Sequence, residues 1–312
     1  MRTVNLRTMT MWERDMWTNK LSEIQIDRKP LPSNYHIYLQ SCDHIGNTAT
    51  SEKASREFIR TVKSKRKSFV IHHGDALETI AHYDKRYSLD VHENRMNRID
   101  AQRDAFIKLY WPIRHRYLGF AEGNHEAKIR NIVRPTKDIA EMYGSIYANG
   151  KVLKFLFPGF NLMAVHGWGN VRSKAGDALQ RATNNLVMLK RKLRELPADD
   201  CDLITCGHYH QLWVHPPVSK QVLYTDPKTN RLKHTYSQPG RIPLPNKEGA
   251  YRVPEDERWY VCCGSFLRSY MEDMPTYPED YGLRPAELGF GHIEVRNDKP
   301  VVVETIPLGL GD

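Results

Sequence analysis

The run Tyr117-Leu-Gly-Phe-Ala121, followed at once by Glu122-Gly-Asn-His-Glu126, decides how this chain is read. Its first half is aromatic and aliphatic and suits a short buried strand, which Gly123 punctuates. Asn124, His125 and Glu126 come directly after the turn, where strands of open α/β sheets end and their ligands bind. Asn and His can both ligate metal. One such strand end is weak by itself, because a lone His is more often structural and a Gly-Asp more often a turn.

Working outward, the same unit recurs on both sides. Tyr35–Gln40 reads as a strand leading into Ser41-Cys-Asp-His-Ile-Gly-Asn47, and Ser68–His72 as another leading into His73-Gly-Asp-Ala-Leu-Glu78. Asn161–Val165 runs into His166-Gly167, and the strand at Asp202–Cys206 into Gly207-His-Tyr-His210. Five such strand ends in series are not expected by accident. Helices are predicted over Thr50–Lys67, with Ala54, Phe58, Ile59 and Val62 at helical spacing, over roughly 91–110, and over Ser173–Leu196. Pro158-Gly159 joins Val152–Phe157 to Asn161–Val165 as a hairpin. From residue 212 onward short strands alternate with Pro, Gly and Asn turns, Ile293–Val295 and Val301–Ile306 among them. Strand–helix alternation followed by hairpins predicts a pair of sheets flanked by helices. Residues 1–34 are polar, lack periodicity and close on Pro30 and Pro32, so they read as an N-terminal extension to one domain over 35–312.

Composition bounds the function. The 312 residues, 40% hydrophobic and 27% charged, exclude a disordered chain, a disulfide miniprotein and a collagen-like repeat. Five cysteines lack zinc-finger spacing and suggest no disulfide framework, so a reducing compartment and a cytoplasmic location are expected. No stretch approaches the roughly 18 apolar residues of a membrane span. Fourteen histidines hint at metal chemistry, and a net charge of +9 favours polyanionic partners. The basic residues gather as Arg56, Arg60, Lys63, Lys65, Arg66 and Lys67 on or just after the early helix, and as Lys190, Arg191, Lys192 and Arg194 on the later one. They suit nucleic-acid contact, and equally the stabilisation of helix C-termini.

The strand-end series resembles the calcineurin-like metallophosphoesterase superfamily, in particular its phage-type and prokaryotic members. The motifs of that family run D-x-H, G-D, G-N-H-E/D, a lone H before G, and G-H-x-H. The resemblance covers residues 35 to about 215, with Gly264-Ser-Phe-Leu267 and Pro285–Gly289 similar to the family's tail. It implies a four-layer α/β/β/α sandwich holding two divalent metal ions, manganese first. By the same resemblance Asp75 would bridge the ions, His44 and His210 would complete the first site, and Asn124, His166 and His208 would hold the second. His125 would be the catalytic residue that meets the scissile phosphate, while metal-bound hydroxide attacks phosphorus in line. The implied activity is hydrolysis of phosphodiesters, with DNA, RNA or nucleotides as substrates. Alternatives are a small-molecule phosphatase, a cyclic nucleotide phosphodiesterase, or a scaffold that kept the fold and lost catalysis.

The departure lies in the first motif, where Cys42 stands at the family's Asp position and Asp43 at the variable one. Either Cys42 ligates as thiolate, which would soften the first site toward zinc or iron, or the backbone shifts so that Asp43 ligates, or the first site is weak. Secondary candidates are Glu78, as an acid orienting a ligand His, and Asp84-Lys85-Arg86, as a phosphate clamp or a solvated loop. Trp168 could stack on a base or cap the core. His73 reads as structural, and Cys262-Cys263 as a strand pair facing opposite ways. Segments 82–100 and 236–258 are the expected rim of the site.

Overall fold

The computed structural model describes residues 25–27, 31–80, 98–148, 152–237, 240–272, 276 and 285–309. Along the chain β1 (Gln25–Asp27) and β2 (Tyr35–Gln40) precede α1 (Glu52–Ser64), β3 (Ser68–His72), α2 (Ile99–Tyr110) and β4 (Tyr117–Phe120). A single turn, α3 (Asn124–Ala127), leads to α4 (Pro135–Tyr143), β5 (Ile146–Tyr147), β6 (Val152–Leu156) and β7 (Asn161–Val165). Then come α5 (Ala178–Leu193), β8 (Leu203–Cys206), β9 (Leu212–His215), β10 (Gln221–Asp226) and β11 (Arg231–Tyr236). The last strands are β12 (Ile242–Pro243), β13 (Tyr251–Arg252), β14 (Trp259–Cys263), β15 (Gly289–Arg296) and β16 (Lys299–Pro307).

Capping explains where the helices depart from the sequence reading. The Ser51 hydroxyl accepts the N–H of Ala54 at 3.2 Å, so α1 starts at Glu52 rather than Thr50. Asp177 accepts the N–H of Gln180 at 2.7 Å and likewise starts α5 after, not at, Ser173.

Side chains alternate across each central strand, and both faces are buried. On β2, Ile37 and Leu39 enter one core and Tyr38 another. On β7, Leu162 and Ala164 face the first core while Met163 and Val165 face a third. On β14, Val261 and Cys263 are separated from Tyr260 and Cys262 in the same way, so the adjacent cysteines do face opposite sides. A strand apolar on both faces requires cover on both. Two six-stranded sheets supply it for each other, in the orders β16-β15-β2-β3-β4-β5 and β1-β6-β7-β8-β14-β9. Phe58, Phe106 and Ile139, from α1, α2 and α4, close the outer face of the first sheet, and Leu189 and Leu193 of α5 close that of the second. The two sheets thus share the first core, and helices pack on the outer face of each. Gln25–Asp27, inside the stretch read as an extension, adds a parallel edge strand beside β6.

Pairing direction places the site. β2, β3 and β4 run parallel, as do β7 and β8, so the polar strand ends of each sheet collect on one edge. β9 turns back antiparallel to β14, from Leu212 opposite Cys263 to His215 opposite Tyr260, and carries the chain to the other pole. The expectation that residues 236–258 rim the site is corrected here. Arg241 reaches Asp202 at 3.0 Å, and Asn161 donates to the Tyr251 hydroxyl at 2.8 Å. Those partners begin β7 or precede β8, at the end away from His166 and Gly207. Residues 82–97 of the other expected rim segment, with Asp84-Lys85-Arg86, lie outside the described residues.

Phe58 ties α1 to the first sheet through edge contacts with Tyr38, Tyr110, Phe266 and Phe290, at centroid distances of 4.9–6.4 Å. Phe58→Ala is expected to cost about 3–5 kcal/mol in a urea melt.

Candidate metal centre

The backbone marks the site before the side chains do. Cys42, His44, Asp75, His208 and His210 all have φ between 51° and 68°, the left-handed region that residues with a Cβ rarely enter. Neighbouring loops hold them there. Cys42 N–H donates to Gly74 O at 3.0 Å and His44 N–H to Asp75 O at 3.1 Å, so the loops after β2 and β3 keep pairing beyond their strands. The turn after β3 also lies directly on the turn after β4: a Cβ on Gly123 would fall 2.0 Å from Asp75 Oδ1, and one on Gly74 2.4 Å from Gly123 N.

Glu126 pins these two turns together. One oxygen accepts the N–H groups of Asp75 and Gly123, each at 3.1 Å, and the other that of Leu77 at 3.1 Å. Burial, and then the charge of Asp75, push its carboxyl up to about 8. Glu126 stands in the Gly-Asn-His-Glu motif with no donor role of its own. The signal for its task was available, because Gly-Asn-His-Glu puts an acid at the third position of a helix, where it caps the N-terminus.

The donors converge in pairs. His166 donates Nδ1–H to His73 O at 2.7 Å, which as a neutral ring turns its Nε2 lone pair toward Asn124 Oδ1 at 2.9 Å and Asp75 Oδ2 at 3.1 Å. His44 Nδ1 is held by Glu78 Oε2 at 2.8 Å, leaving Nε2 3.3 Å from His210 Nε2 and 3.9 Å from Asp75 Oδ2. Cys42 with His44 and His210, Cys42 with Asp75 and His166, and His44 with Asp75 and His125 each bring their donor atoms within 4.8 Å of one another. Lone pairs this close need protons or cations between them, and the mix of sulfur, imidazole and carboxylate fits divalent metal. Burial opposes charge on Asp75, but His166, His125 and His44 hold its carboxyl well below the usual range. Burial also opposes charge on His44, yet its bonds to Cys42 and Glu78 hold it well above the ordinary histidine value. Burial, with His44 next, pushes His210 well below it.

His208 stands apart from these groups. Its ring lies 5.0 Å from that of His166, but its Nε2 is 3.0 Å from Gly169 O. His125 sits at the mouth, 8% exposed, its backbone N–H on Asp75 Oδ1 at 2.9 Å and its Nδ1 on Glu78 O at 2.6 Å. Glu78 thus steadies both His44 and His125.

Asp43 points the other way. One oxygen accepts from Gln40 Nε2 at 2.8 Å and from the Tyr110 hydroxyl, and the other meets His72 Nε2 at 2.7 Å, all with Asp43 fully buried. The strand-end alternation puts Cys42 on the donor side and Asp43 in the core. His73 is structural, bonded to Thr205 Oγ1 at 2.7 Å, and burial drives it down to about 3. Trp168 caps the third core beside Tyr209 and Lys192.

Most of the basic helix residues lie where β3 begins and where α5 returns toward β8, but Lys192 reaches Trp168 O at 2.9 Å, two residues after His166. Several of their charges are paired: Arg56 with Glu52, Arg60 with Glu57, Lys190 with Asp256 and Arg194 with Glu255. Arg172 and Lys174 are different. Both are exposed, in the loop that follows His166.

No family model matches the chain, and no curated protein does. Solved structures give distant likenesses. A single mutant of Vps29 from Entamoeba histolytica is 13% identical, at TM-score 0.36 over 88% of this chain and 99% of that one. A metallophosphoesterase from Sphaerobacter thermophilus is 11% identical, at TM-score 0.38 over 88% of each. The NAD nucleotidase of Haemophilus influenzae is 14% identical, at TM-score 0.34 over 88% of this chain and 50% of that one.

Asp43→Ala strands His72 and Tyr110 in the core and is expected to cost about 3–5 kcal/mol by urea titration, with the metal stoichiometry of the folded protein unchanged. Gly123→Ala drives a methyl into Asp75, and the metal content of the purified variant is expected to fall to background.

Proposed function

We propose that this chain is a two-metal phosphoesterase of the calcineurin-like type that hydrolyses phosphodiester bonds of nucleic acid or nucleotides. The observation that carries the reading is the convergence of lone-pair donors from five separate strand ends, each on backbone held by its neighbours. His44, His210 and Cys42 would hold one ion, Asn124, His166 and His208 the other, and Asp75 would face both. For His208 the bond from Nε2 to Gly169 O leaves Nδ1 as the nitrogen that would ligate. When bound, two divalent ions supply Lewis acidity that activates water and neutralises phosphate oxygens.

The remaining work falls to the chain itself. With Nδ1 fixed on Glu78 O, His125 holds or moves a proton at Nε2, toward the oxygen that leaves phosphorus. Glu78 keeps that ring and the His44 ring in register, so its effect on catalysis runs through them. Arg172 and Lys174 suit a polyanionic substrate entering beside His166, and the net charge of +9 favours such partners. Among the described residues no helix is long and apolar enough to cross a membrane, and all five cysteines are free thiols. A reducing compartment suits them, and we place the activity in the cytoplasm.

The test is hydrolysis of bis-p-nitrophenyl phosphate by metal-free protein reloaded with manganese, zinc or iron. His125→Ala is expected to keep its metal and lose roughly 10²–10⁴-fold in kcat. Asp75→Ala is expected to lose both metal and activity. Absence of turnover with every ion, in protein that binds them, would sink the enzymatic reading in favour of a binding scaffold. The pair Arg172→Ala and Lys174→Ala is expected to raise KM for a single-stranded oligonucleotide while leaving kcat on the small diester unchanged.

A further inference from the structure

We propose that the metal position of His44 and His210 is a thiolate site, with Cys42 Sγ as a protein donor, and that it takes zinc, iron(II) or cobalt(II) in preference to manganese or magnesium. The proposal rests on the two-metal reading above and names the ion chemistry of that same centre.

Position is the first argument. The sulfur lies within 4.8 Å of donor atoms of His44 and His210, and also of Asp75 and His166, so it faces both halves of the centre. Elimination is the second. The neighbouring carboxylate that could have replaced it, Asp43, is fully buried on the other side with both oxygens bonded to Gln40, Tyr110 and His72. Turning it inward would break all three of those buried bonds. The other cysteines of this region are aimed elsewhere: Cys262 Sγ faces Gly207 O at 3.8 Å, and Cys263 Sγ lies 3.9 Å from His73 Nδ1.

The sulfur's own partners are the third argument. His208 N–H donates to it at 3.2 Å. The Ser41 hydroxyl lies 3.4 Å from it and 3.1 Å from Gly264 O, so its single proton serves one or the other. A sulfur that accepts a backbone N–H offers electron density, as a ligating thiolate does. That bond also links the two halves, since His208 belongs with the second ion. Thiolate is a soft donor and favours zinc, iron or cobalt, whereas manganese and magnesium favour oxygen. The manganese implied by the family resemblance therefore suits this donor set less well than zinc does.

Cobalt(II) is the probe. Metal-free protein titrated with it is expected to develop a near-ultraviolet sulfur-to-cobalt charge-transfer band, and Cys42→Ser to bind cobalt without that band. In competition, Cys42→Asp is expected to shift preference from zinc toward manganese by roughly 10- to 100-fold. Cobalt bound without the band, or the band retained in Cys42→Ser, overturns the thiolate site and leaves the two-metal reading standing. Failure to bind cobalt in equilibrium dialysis overturns both. Should Cys42→Ser not fold, X-ray absorption of the zinc-loaded wild type decides. A sulfur neighbour at about 2.3 Å supports the proposal, and a shell of nitrogen and oxygen alone refutes it.

Discussion

Two turns from adjacent parallel strands meet backbone to backbone in this protein, and the centre depends on that contact. Gly74-Asp75 follows β3, Gly123-Asn124 follows β4, and neither glycine has room for a methyl. Glu126 fastens them by accepting N–H groups from both. The approach puts Asp75 between His44 and His166, where one carboxylate addresses both clusters of donors. Left-handed backbone at Cys42, His44, Asp75, His208 and His210 costs roughly 1–3 kcal/mol per residue. The two sheets offset that cost, because their strands keep pairing into the loops and leave those residues no alternative conformation.

The molecule separates its poles by chemistry. Parallel strands deliver five polar ends to one edge, and the antiparallel return of β9 sends the later hairpins to the other. At that far pole the β10–β11 ribbon is exposed on almost every residue, and the basic end of α1, which leads into β3, lies there too. The charge that suggests a polyanionic partner is therefore not concentrated around the donors. Among the described residues, the loop after His166 carries exposed Arg172 and Lys174, and exposed Lys128 follows His125 by three residues.

Sulfur in place of a carboxylate changes what the centre asks of its surroundings. A carboxylate needs hydrogen-bond donors around both oxygens, whereas a buried thiol needs little and sits well among apolar neighbours. Behind Cys42 lie Cys206, Cys262 and Cys263, all buried, and the polar network of Asp43, His72 and Tyr110 is turned to the opposite core. The loop after β2 thus has one side for structure and one for donors.

Much of this was legible in the residues. Short β-rich runs closed by polar or glycine-containing turns marked the strands, and Tyr35–Gln40, Ser68–His72 and Asn161–Val165 begin and end where those runs do, because strand propensity and turn residues are local properties of the chain. The order of His, Asp, Asn and Gly at strand ends determined which side chains had to be considered as donors. Tertiary structure decided the rest. Whether Cys42 or Asp43 faces the donors depends on which core each side of β2 packs against, and that is set by sheets formed from residues far along the chain. The task of Glu126 depends on a turn about fifty residues earlier lying against its own. The misplaced rim at 236–258 has the same origin: a loop's distance from the site follows from strand direction, and no local pattern records whether β9 pairs parallel or antiparallel with a strand some fifty residues further on.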